Sequence, residues 1–396
     1  MMKIAFVTPE FITEQATYDG GLANYLYRIS LALISQGHQP YVFVGSDKEE
    51  VLDFEGIKVY RVIPESEDLF SKFKGLLVGQ KPGLASMWLQ MGKTLNNRVK
   101  EVNEVEHFDI VQHSSYGAMG YFRPQNIPSI TRLSSYEPLF RAARGITAPS
   151  ADEVQVELNE KQALKRADAI FGPSKLTAQA VEKDLGLSVK IIETPFILET
   201  KELDNSFYND NLKGKKYLLY WGTVSRLKGV RVIVEMLPQL LEENKDLNFV
   251  FIGKPEPGIL EHIQEIGSDR VLHYNRLPHE QLFPVIQNAY AIVLPSLYDN
   301  FPNTCIEAMA FGKVVVGTRG ASFDQLITDG ESGFLCKLGD ASDLARVVNK
   351  VLTLSEKEIQ NIGSAAQKRI ELLRPEVIVK QVVQFYEESI KEFNKS

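Results

Sequence analysis

The residues with the clearest chemical potential are two carboxylates, Asp299 and Glu307, separated by seven residues. An apolar run over 289–294 precedes them and predicts a buried strand. Pro302 suits the first position of a helix that Gly312 would end, which places Asp299 in a strand-to-helix loop and Glu307 just over one turn inside the helix. Because helical side chains lean toward the helix N-terminus, we expect Glu307 to point back toward that loop.

The start of the same helix should also attract negative charge. The backbone amides of Asn303 and Thr304 would open there, at the positive end of the helix dipole. Carboxylates that accept hydrogen bonds, beside amides that bind anions, suit a ligand with both hydroxyls and phosphates. A nucleotide sugar is such a ligand. The alternative is that Asp299 only caps the helix while Glu307 faces solvent.

A second candidate site is the segment Trp221-Gly-Thr-Val-Ser-Arg-Leu-Lys-Gly229, which follows a predicted strand. Arg226 and Lys228 stand close to a predicted helix start, where two cations could hold a diphosphate leaving group without a metal. The alternative is an ordinary solvated basic turn.

Two weaker candidates lie in the first half of the chain. Gly20 and Gly21 open a helix after the first predicted strand, and glycines there let a phosphate approach the backbone. The full G-x-G-x-x-G spacing is missing, which disfavours a nicotinamide or flavin site. His113 stands at the end of the predicted strand Asp109–Gln112, where ligands of parallel sheets bind. An ordinary glycine turn and a structural histidine are the alternatives.

Composition narrows the class of protein. The chain has 396 residues, enough for two domains of ordinary size, and a net charge of −7 that argues against a broad nucleic-acid surface. Its two cysteines, Cys305 and Cys336, fit neither a disulfide framework nor metal-ligand spacing. No signal peptide or membrane-spanning run is visible. We therefore expect a soluble, cytoplasmic protein, and contact with the inner membrane face stays open.

Strand-like and helix-like segments alternate along the chain, which predicts an α/β fold with parallel sheets covered on both faces. The polar stretch 199–216 has little apolar periodicity and is interpreted as a surface linker. Two helical patterns close the chain, at 357–373 and 375–393. The predicted strands are Lys3–Thr8, Tyr41–Val44, Lys58–Val62, Asp109–Gln112, Ser129–Leu133, Asp168–Phe171, Val189–Ile192, Tyr217–Trp221, Asn248–Ile252, Tyr290–Leu294 and Val314–Val316.

Taken together, several motifs resemble glycosyltransferase family 4. They include Gly20-Gly21, the run from Gly222 to Lys228-Gly229, and Asp299 through Glu307-Ala-Met-Ala310. Further matches are Ala167-Asp-Ala-Ile-Phe-Gly-Pro-Ser174, Thr194-Pro195 and Gly330-Glu-Ser-Gly-Phe334. The resemblance implies the GT-B fold, with two Rossmann-like domains whose parallel sheets face a central cleft. It assigns residues 1–198 and the returning helix 375–396 to the N-terminal acceptor domain, 199–216 to the linker, and 217–374 to the donor domain.

The resemblance also implies a reaction. Members transfer a sugar from a nucleotide diphosphate donor, here expected to be a UDP-sugar, with retention at the anomeric carbon and without a metal or other cofactor. The acceptor would be a saccharide or a lipid-linked hydroxyl in polysaccharide or glycolipid assembly, and no nucleic acid is expected. Two alternatives stay open: a nucleotide-sugar epimerase of the same fold, and a non-catalytic subunit that binds nucleotide sugars.

Carried over position by position, the resemblance assigns Glu307 to the ribose hydroxyls, Asp299 to the donor sugar and Lys228 to the diphosphate, and it makes Lys228, Asp299 and His113 the catalytic candidates. The other donor-binding positions are Gly20, Gly21, Thr223, Arg226, Arg276, Leu277, Phe301, Asn303 and Thr304.

Three departures from the family pattern accompany that assignment. Asp299 is one methylene shorter than the usual glutamate. Thr223 stands where the family has an arginine, which Arg226 would replace. His113 matches the family histidine only within a shift of one residue.

Overall fold

The computed structural model describes residues 1–12, 20–64, 83–198 and 202–395. It contains two compact units. Unit 1 comprises Met1–Pro195 and Pro375–Ser396, and unit 2 comprises Phe196–Arg374. The C-terminal segment thus belongs to the same unit as the N-terminus. Each unit is built on one sheet flanked by helices.

The strands are β1 (Lys3–Thr8), β2 (Gln39–Gly45), β3 (Glu50–Phe54), β4 (Ile57–Val62), β5 (Ile110–Ser114), β6 (Ser129–Arg132), β7 (Ala169–Gly172), β8 (Lys190–Ile191), β9 (Lys216–Trp221), β10 (Leu247–Ile252), β11 (Val271–Tyr274), β12 (Ala291–Leu294), β13 (Val315–Thr318) and β14 (Phe334–Cys336).

The helices are α1 (Gly21–Ser35), α2 (Leu84–Glu106), α3 (Glu137–Arg144), α4 (Ala151–Arg166), α5 (Lys175–Leu185), α6 (Ser206–Asn211), α7 (Val230–Glu243), α8 (Ile259–Gln264), α9 (His279–Asn288), α10 (Asn303–Ala310), α11 (Ala341–Leu352), α12 (Glu356–Glu371) and α13 (Pro375–Phe393). Short 3₁₀ turns lie at Tyr116–Ala118 and Phe323–Gln325.

The sheet of unit 1 has the order β3-β4-β2-β1-β5-β6-β7-β8. Its strands run parallel except for β3, which pairs antiparallel with β4. The sequence analysis missed β3 because its burial alternates along a half-exposed edge. Glu55 and Gly56, both with positive φ, connect β3 to β4 in a tight hairpin.

Two helices fix the termini of unit 1 against this sheet. α1 ends at Ser35, and Gly37 follows with φ 78° and an N–H that bonds to the carbonyl of Ile34. In α13, the Tyr386 hydroxyl donates to Gln112 Oε1 at 2.6 Å. Phe385 packs on Phe171 with 5.2 Å between ring centroids.

The sheet of unit 2 has the order β11-β10-β9-β12-β13-β14 and all its paired strands are parallel. β9 and β12 lie side by side at its centre, and β12 is buried along its whole length. Such fully buried strands are typical of a parallel sheet with helices on both faces. The sequence analysis missed the edge strands β11 and β14, which are only four and three residues long.

Residues 199–201 of the predicted linker lie outside the described residues, and part of the remainder is helical and packed on unit 2. Ser206–Asn211 forms α6, and Phe207 packs edge-on against Tyr274 with 4.9 Å between ring centroids. Leu212 is fully buried, and the Asp204 N–H donates to the Glu280 carbonyl at 3.0 Å. Two apolar anchors among polar residues are too few to produce a periodicity, although they are enough to attach this segment to unit 2.

Candidate active site

The candidate site of unit 2 lies at the carboxyl ends of its central strands. The loop 222–229 follows β9, and the loop 295–302 follows β12 and leads into α10. The Leu297 N–H donates to the Leu227 carbonyl at 2.8 Å, which joins the two loops. Gly229 has φ 75°, and a Cβ built there would stand 1.8 Å from the Pro295 carbonyl oxygen. This close approach requires glycine, and it brings Lys228 beside Asp299.

Lys228 and Asp299 form an ion pair. The Lys228 ammonium lies 2.5 Å from Asp299 Oδ2, and the two side chains are 33% and 15% exposed. The Ser225 hydroxyl accepts from the Lys228 N–H at 3.2 Å, and the Ser322 hydroxyl donates to the Asp299 carbonyl at 2.7 Å. Both backbones are therefore held in place. The structure brings together the two residues that the sequence analysis assigned to the diphosphate and to the transferred sugar.

Glu307 is half-buried in the second turn of α10. Its Oε2 accepts a hydrogen bond from Trp221 Nε1 at 3.3 Å. The sequence analysis expected this carboxylate to point back toward the loop that precedes α10. In the structure it contacts Trp221, the last residue of β9. The alternative in which Glu307 faces open solvent is therefore wrong.

The first turn of α10 lies beside the same loops. Pro302 is the N-cap rather than the first helical residue, and no side chain caps the helix. Asn303 and Thr304 are half-buried, whereas Phe301 is buried. A Cβ built on Gly222 would lie 3.7 Å from Thr304 Cγ2, so the loop after β9 passes close to this helix start.

The other predicted donor-binding residues of unit 2 surround this centre. Thr223 is exposed, and its carbonyl accepts from the Tyr220 hydroxyl at 2.5 Å. Arg226 is also exposed, and its N–H donates to Glu256 Oε2 at 3.2 Å. The loop carrying Thr223 and Arg226 is further tied to the loop after β10, because the Val224 N–H bonds to the Lys254 carbonyl at 3.0 Å.

Arg276 and Leu277 lie on the loop between β11 and α9, at the same edge of the sheet. In the sheet, β10 lies between β11 and β9, so this loop is two strands away from the loop that follows β9. Arg276 is exposed and Leu277 is half-buried. Their role at the nucleotide base stays a prediction.

In unit 1, His113 has a different environment from the one its sequence position suggested. It lies inside β5 rather than at its end, and it is 1% exposed. Its Nε2 lies 2.9 Å from Asn96 Oδ1. Because the Asn96 amide donates to the carbonyls of Gly92 and Met119, its oxygen faces the ring, and His113 Nε2 must carry the proton. Burial lowers the pKa of His113 to about 3.

The predicted phosphate approach at Gly20 and Gly21 is occupied by a side chain. Gly20 is the N-cap of α1 and Gly21 is its first residue. Glu10 Oε1 accepts from the Ala23 N–H at 3.2 Å, and a Cβ on Gly20 would stand 2.6 Å from the same oxygen. Burial raises the pKa of Glu10, and the bond from Ala23 opposes that shift. The helix start does receive a hydrogen-bond acceptor, and here the acceptor is the protein's own Glu10 carboxyl group.

Two negative observations concern only the described part of the chain. No helix there combines the length and apolarity needed to cross a bilayer. Nor do its histidine, cysteine and acidic side chains form a group of three or more that could hold a metal ion.

Sequence reasoning missed Trp221, which it treated as the apolar end of a strand. The signal was available, since an indole N–H at the carboxyl end of a central strand needs a buried acceptor. It also missed the Lys228–Asp299 pair, because 71 residues separate the partners and no local pattern joins them.

Comparison with known proteins agrees with this arrangement. Residues 19–196 match the family model described as Glycosyltransferase Family 4, and residues 203–369 match the model described as Glycosyl transferases group 1. An MMP alpha-(1->4)-mannosyltransferase of Mycolicibacterium hassiacum is 30% identical over 169 residues. The alignment covers 41% of this chain and 41% of that relative, so the chain spans well under half the length of the relative it matches.

Solved structures share the fold along nearly the whole chain. Sucrose-phosphate synthase from Thermosynechococcus elongatus aligns with a TM-score of 0.78 and 19% identity, covering 100% of both chains. Anabaena HepE, solved in complex with UDP and glucose, aligns with a TM-score of 0.70 and 18% identity over 98% of this chain and 100% of that one. The predicted GT-B fold with two Rossmann-like domains is confirmed. With one family model matching in each unit, the chain belongs to glycosyltransferase family 4.

Proposed function

We propose that the protein is a retaining, metal-independent glycosyltransferase that moves a sugar from a UDP-sugar to an acceptor hydroxyl. The observation that carries the proposal is the Lys228–Asp299 pair at the carboxyl ends of β9 and β12, with Glu307 on the adjoining helix. A cation, two carboxylates and a helix start then lie on neighbouring loops of one unit. That set matches the diphosphate, the hydroxyls and the charge of a nucleotide sugar.

In this proposal Lys228 contacts the diphosphate and stabilises the negative charge that grows on it as the glycosidic bond breaks. The amides at the start of α10 contribute in the same way. Asp299 accepts from hydroxyls of the transferred sugar while it holds the Lys228 ammonium. Glu307 accepts from the ribose hydroxyls. The uridine assignment draws on HepE, which was solved with UDP and glucose.

The proposed reaction follows a front-face route. The acceptor oxygen bonds to the anomeric carbon on the face from which the diphosphate leaves, and the acceptor proton passes to a departing phosphate oxygen. His113 is a poor general base in this scheme, since its ring is enclosed and burial lowers its pKa to about 3. We propose polysaccharide or glycolipid assembly in the cytoplasm, at the inner membrane face, as the setting.

A thermal-shift panel of UDP-, GDP- and ADP-sugars tests the donor, because a ligand that binds only the folded state raises the unfolding temperature. We expect the largest shift from a UDP-sugar, unchanged by EDTA. Anomeric NMR of the product formed with a saccharide acceptor then tests retention. Loss of the shift with EDTA would contradict metal independence. Isomerisation of the donor without an acceptor would identify an epimerase instead.

A further inference from the structure

Trp221 is a buried polar group that the proposed reaction does not use. We infer that Trp221 is a positioning residue, whose indole N–H holds the Glu307 carboxylate in the orientation that accepts the ribose hydroxyls of the nucleotide. The inference rests on the proposed function, because that function assigns the ribose to Glu307. It concerns donor affinity, and it assigns Trp221 no contact with the reacting atoms.

The backbone of Trp221 is fixed on one side by its neighbouring strand. Trp221 is the last residue of β9 and stands in register with Ile252 of β10. The next residue, Gly222, donates its N–H to the Ile252 carbonyl at 3.0 Å. With a side chain only 4% exposed, the indole has little freedom to move away from Glu307.

The hydrogen bond between Trp221 and Glu307 can run in only one direction. An indole N–H can only donate, and an ionised carboxylate can only accept. The 3.3 Å hydrogen bond therefore runs from Trp221 Nε1 to Glu307 Oε2, and it restricts where that oxygen lies. A carboxylate offers about four acceptor positions, and the indole uses one of them.

Fixing Glu307 in advance should favour binding. A glutamate side chain loses rotamer freedom when a ligand holds it, and that loss opposes binding. When the protein has already fixed the side chain, the ligand meets a prepared acceptor and the loss is smaller. The indole thus acts through Glu307, and its effect should appear with ligands that carry ribose hydroxyls.

The test compares UDP with 2′,3′-dideoxy-UDP by isothermal titration calorimetry. Wild-type protein should bind UDP more tightly than the dideoxy analogue. In Trp221→Phe we expect this preference to fall by roughly three- to ten-fold, the effect of losing one hydrogen bond of typical net strength. Affinity for the dideoxy analogue should stay within about two-fold, because the analogue does not use the ribose contact.

The matched control is Trp88→Phe, the same change at the only other tryptophan of the sequence. Trp88 lies in unit 1 and packs edge-on against Tyr116 with 5.2 Å between ring centroids. We expect it to leave the preference for UDP unchanged. Glu307→Ala is the reference for complete loss, and its preference should approach one.

The outcomes separate the inference from the function on which it rests. If wild-type protein binds UDP and its dideoxy analogue equally, the ribose assignment of Glu307 fails, and the inference fails with it. If Glu307→Ala loses the preference while Trp221→Phe keeps it, the inference is overturned and the proposed function stands.

A second variant covers the case in which Trp221→Phe does not fold. Biosynthetic incorporation of 3-benzothienylalanine in the Trp88→Phe background replaces only the indole N–H of Trp221 with sulfur. The same loss of preference would support the inference, and an unchanged preference would overturn it.

Discussion

Units 1 and 2 are both parallel sheets flanked by helices, yet they place their candidate residues in different surroundings. In unit 2, Lys228 and Asp299 meet at the carboxyl ends of two central strands and keep part of their side chains exposed. In unit 1, His113 is enclosed within β5, and Glu10 occupies the helix start at Gly20. The same kind of sheet thus carries an open charged centre in one unit and satisfied or buried polar groups in the other.

The difference follows from the loops rather than the sheets. In unit 2, Gly229 lets the loop after β9 approach the Pro295 carbonyl, so that two loops share one charged centre. In unit 1, by contrast, a buried side chain holds the turn after β5, because the Gly117 N–H donates to Glu160 Oε1 at 3.0 Å. We therefore expect substitutions in unit 2 to change catalysis, and substitutions of these unit 1 groups to change stability.

Lys228→Ala should produce the largest effect. Removing a donor aimed at the charge that develops on the leaving group should lower kcat by roughly 10²–10³. It also leaves Asp299 without the ammonium that now lies 2.5 Å away. Steady-state kinetics with the UDP-sugar that gives the largest thermal shift would measure the change.

Lys245→Ala is the matched control for Lys228→Ala. Lys245 is an exposed lysine of the same unit, in the turn before β10 and at the opposite edge of the sheet. Its kcat should stay within about two-fold of wild type, as for an ordinary surface substitution. Near-native turnover in Lys228→Ala would contradict the assignment of the catalytic centre to unit 2. The contrast between the two units would then fail as well.

The contrast between the units was only partly readable from the sequence. β1 and α13 have the predicted bounds, because a continuous apolar run and a long amphipathic repeat are strong local signals. Lys228, Asp299 and Glu307 were singled out as candidates because they follow predicted buried strands and lie near predicted helix starts. The Lys228–Asp299 pair and the Trp221–Glu307 bond were not, since they join residues 71 and 86 positions apart.

The candidate residues of unit 1 show a different limit of prediction from sequence, because here the predicted surroundings were wrong. His113 was placed at a strand end from a pattern that stopped at Gln112, whereas β5 continues to Ser114. Strand boundaries are weak local signals, and an error of two residues moved this ring from an expected loop into the core. Glu10 escaped notice because its partner Ala23 lies 13 positions further along the chain, beyond any periodic pattern.

The next largest effect should come from Glu160, in unit 1. Burial, reinforced by the charges of Glu137 and Glu157, raises the pKa of Glu160 to about 8. Between its ordinary pKa near 4.5 and about 8, the folded state holds a proton that the unfolded state has lost. This carboxyl therefore lowers the free energy of unfolding as pH rises through that window, by about 1.4 kcal/mol per pH unit.

Glu160→Gln should remove this slope while its amide oxygen still accepts from Gly117. Urea unfolding at pH 5.5 and pH 7.5 should show the variant gaining about 2–3 kcal/mol on wild type between the two values. Glu153→Gln is the control on the same helix. The Glu153 carboxylate accepts from the Ser150 N–H at 2.7 Å and is not one of the charges that raise the pKa of Glu160, so its loss should cost the same at both pH values. Parallel pH profiles for Glu160→Gln and wild type would contradict a protonated Glu160.

The smallest effect, and the sharpest test of the comparison, should come from His113→Phe. The phenyl ring has no N–H, so Asn96 Oδ1 loses its buried donor, which should lower the free energy of unfolding by about 1–3 kcal/mol. Turnover per folded molecule should change by less than about three-fold, because the enclosed ring cannot reach a substrate in this arrangement. His113→Gln can still donate to Asn96 and should recover part of the lost stability. A hundred-fold loss of kcat in folded His113→Phe would instead make His113 catalytic, and unit 1 would then share the chemistry that this comparison assigns to unit 2.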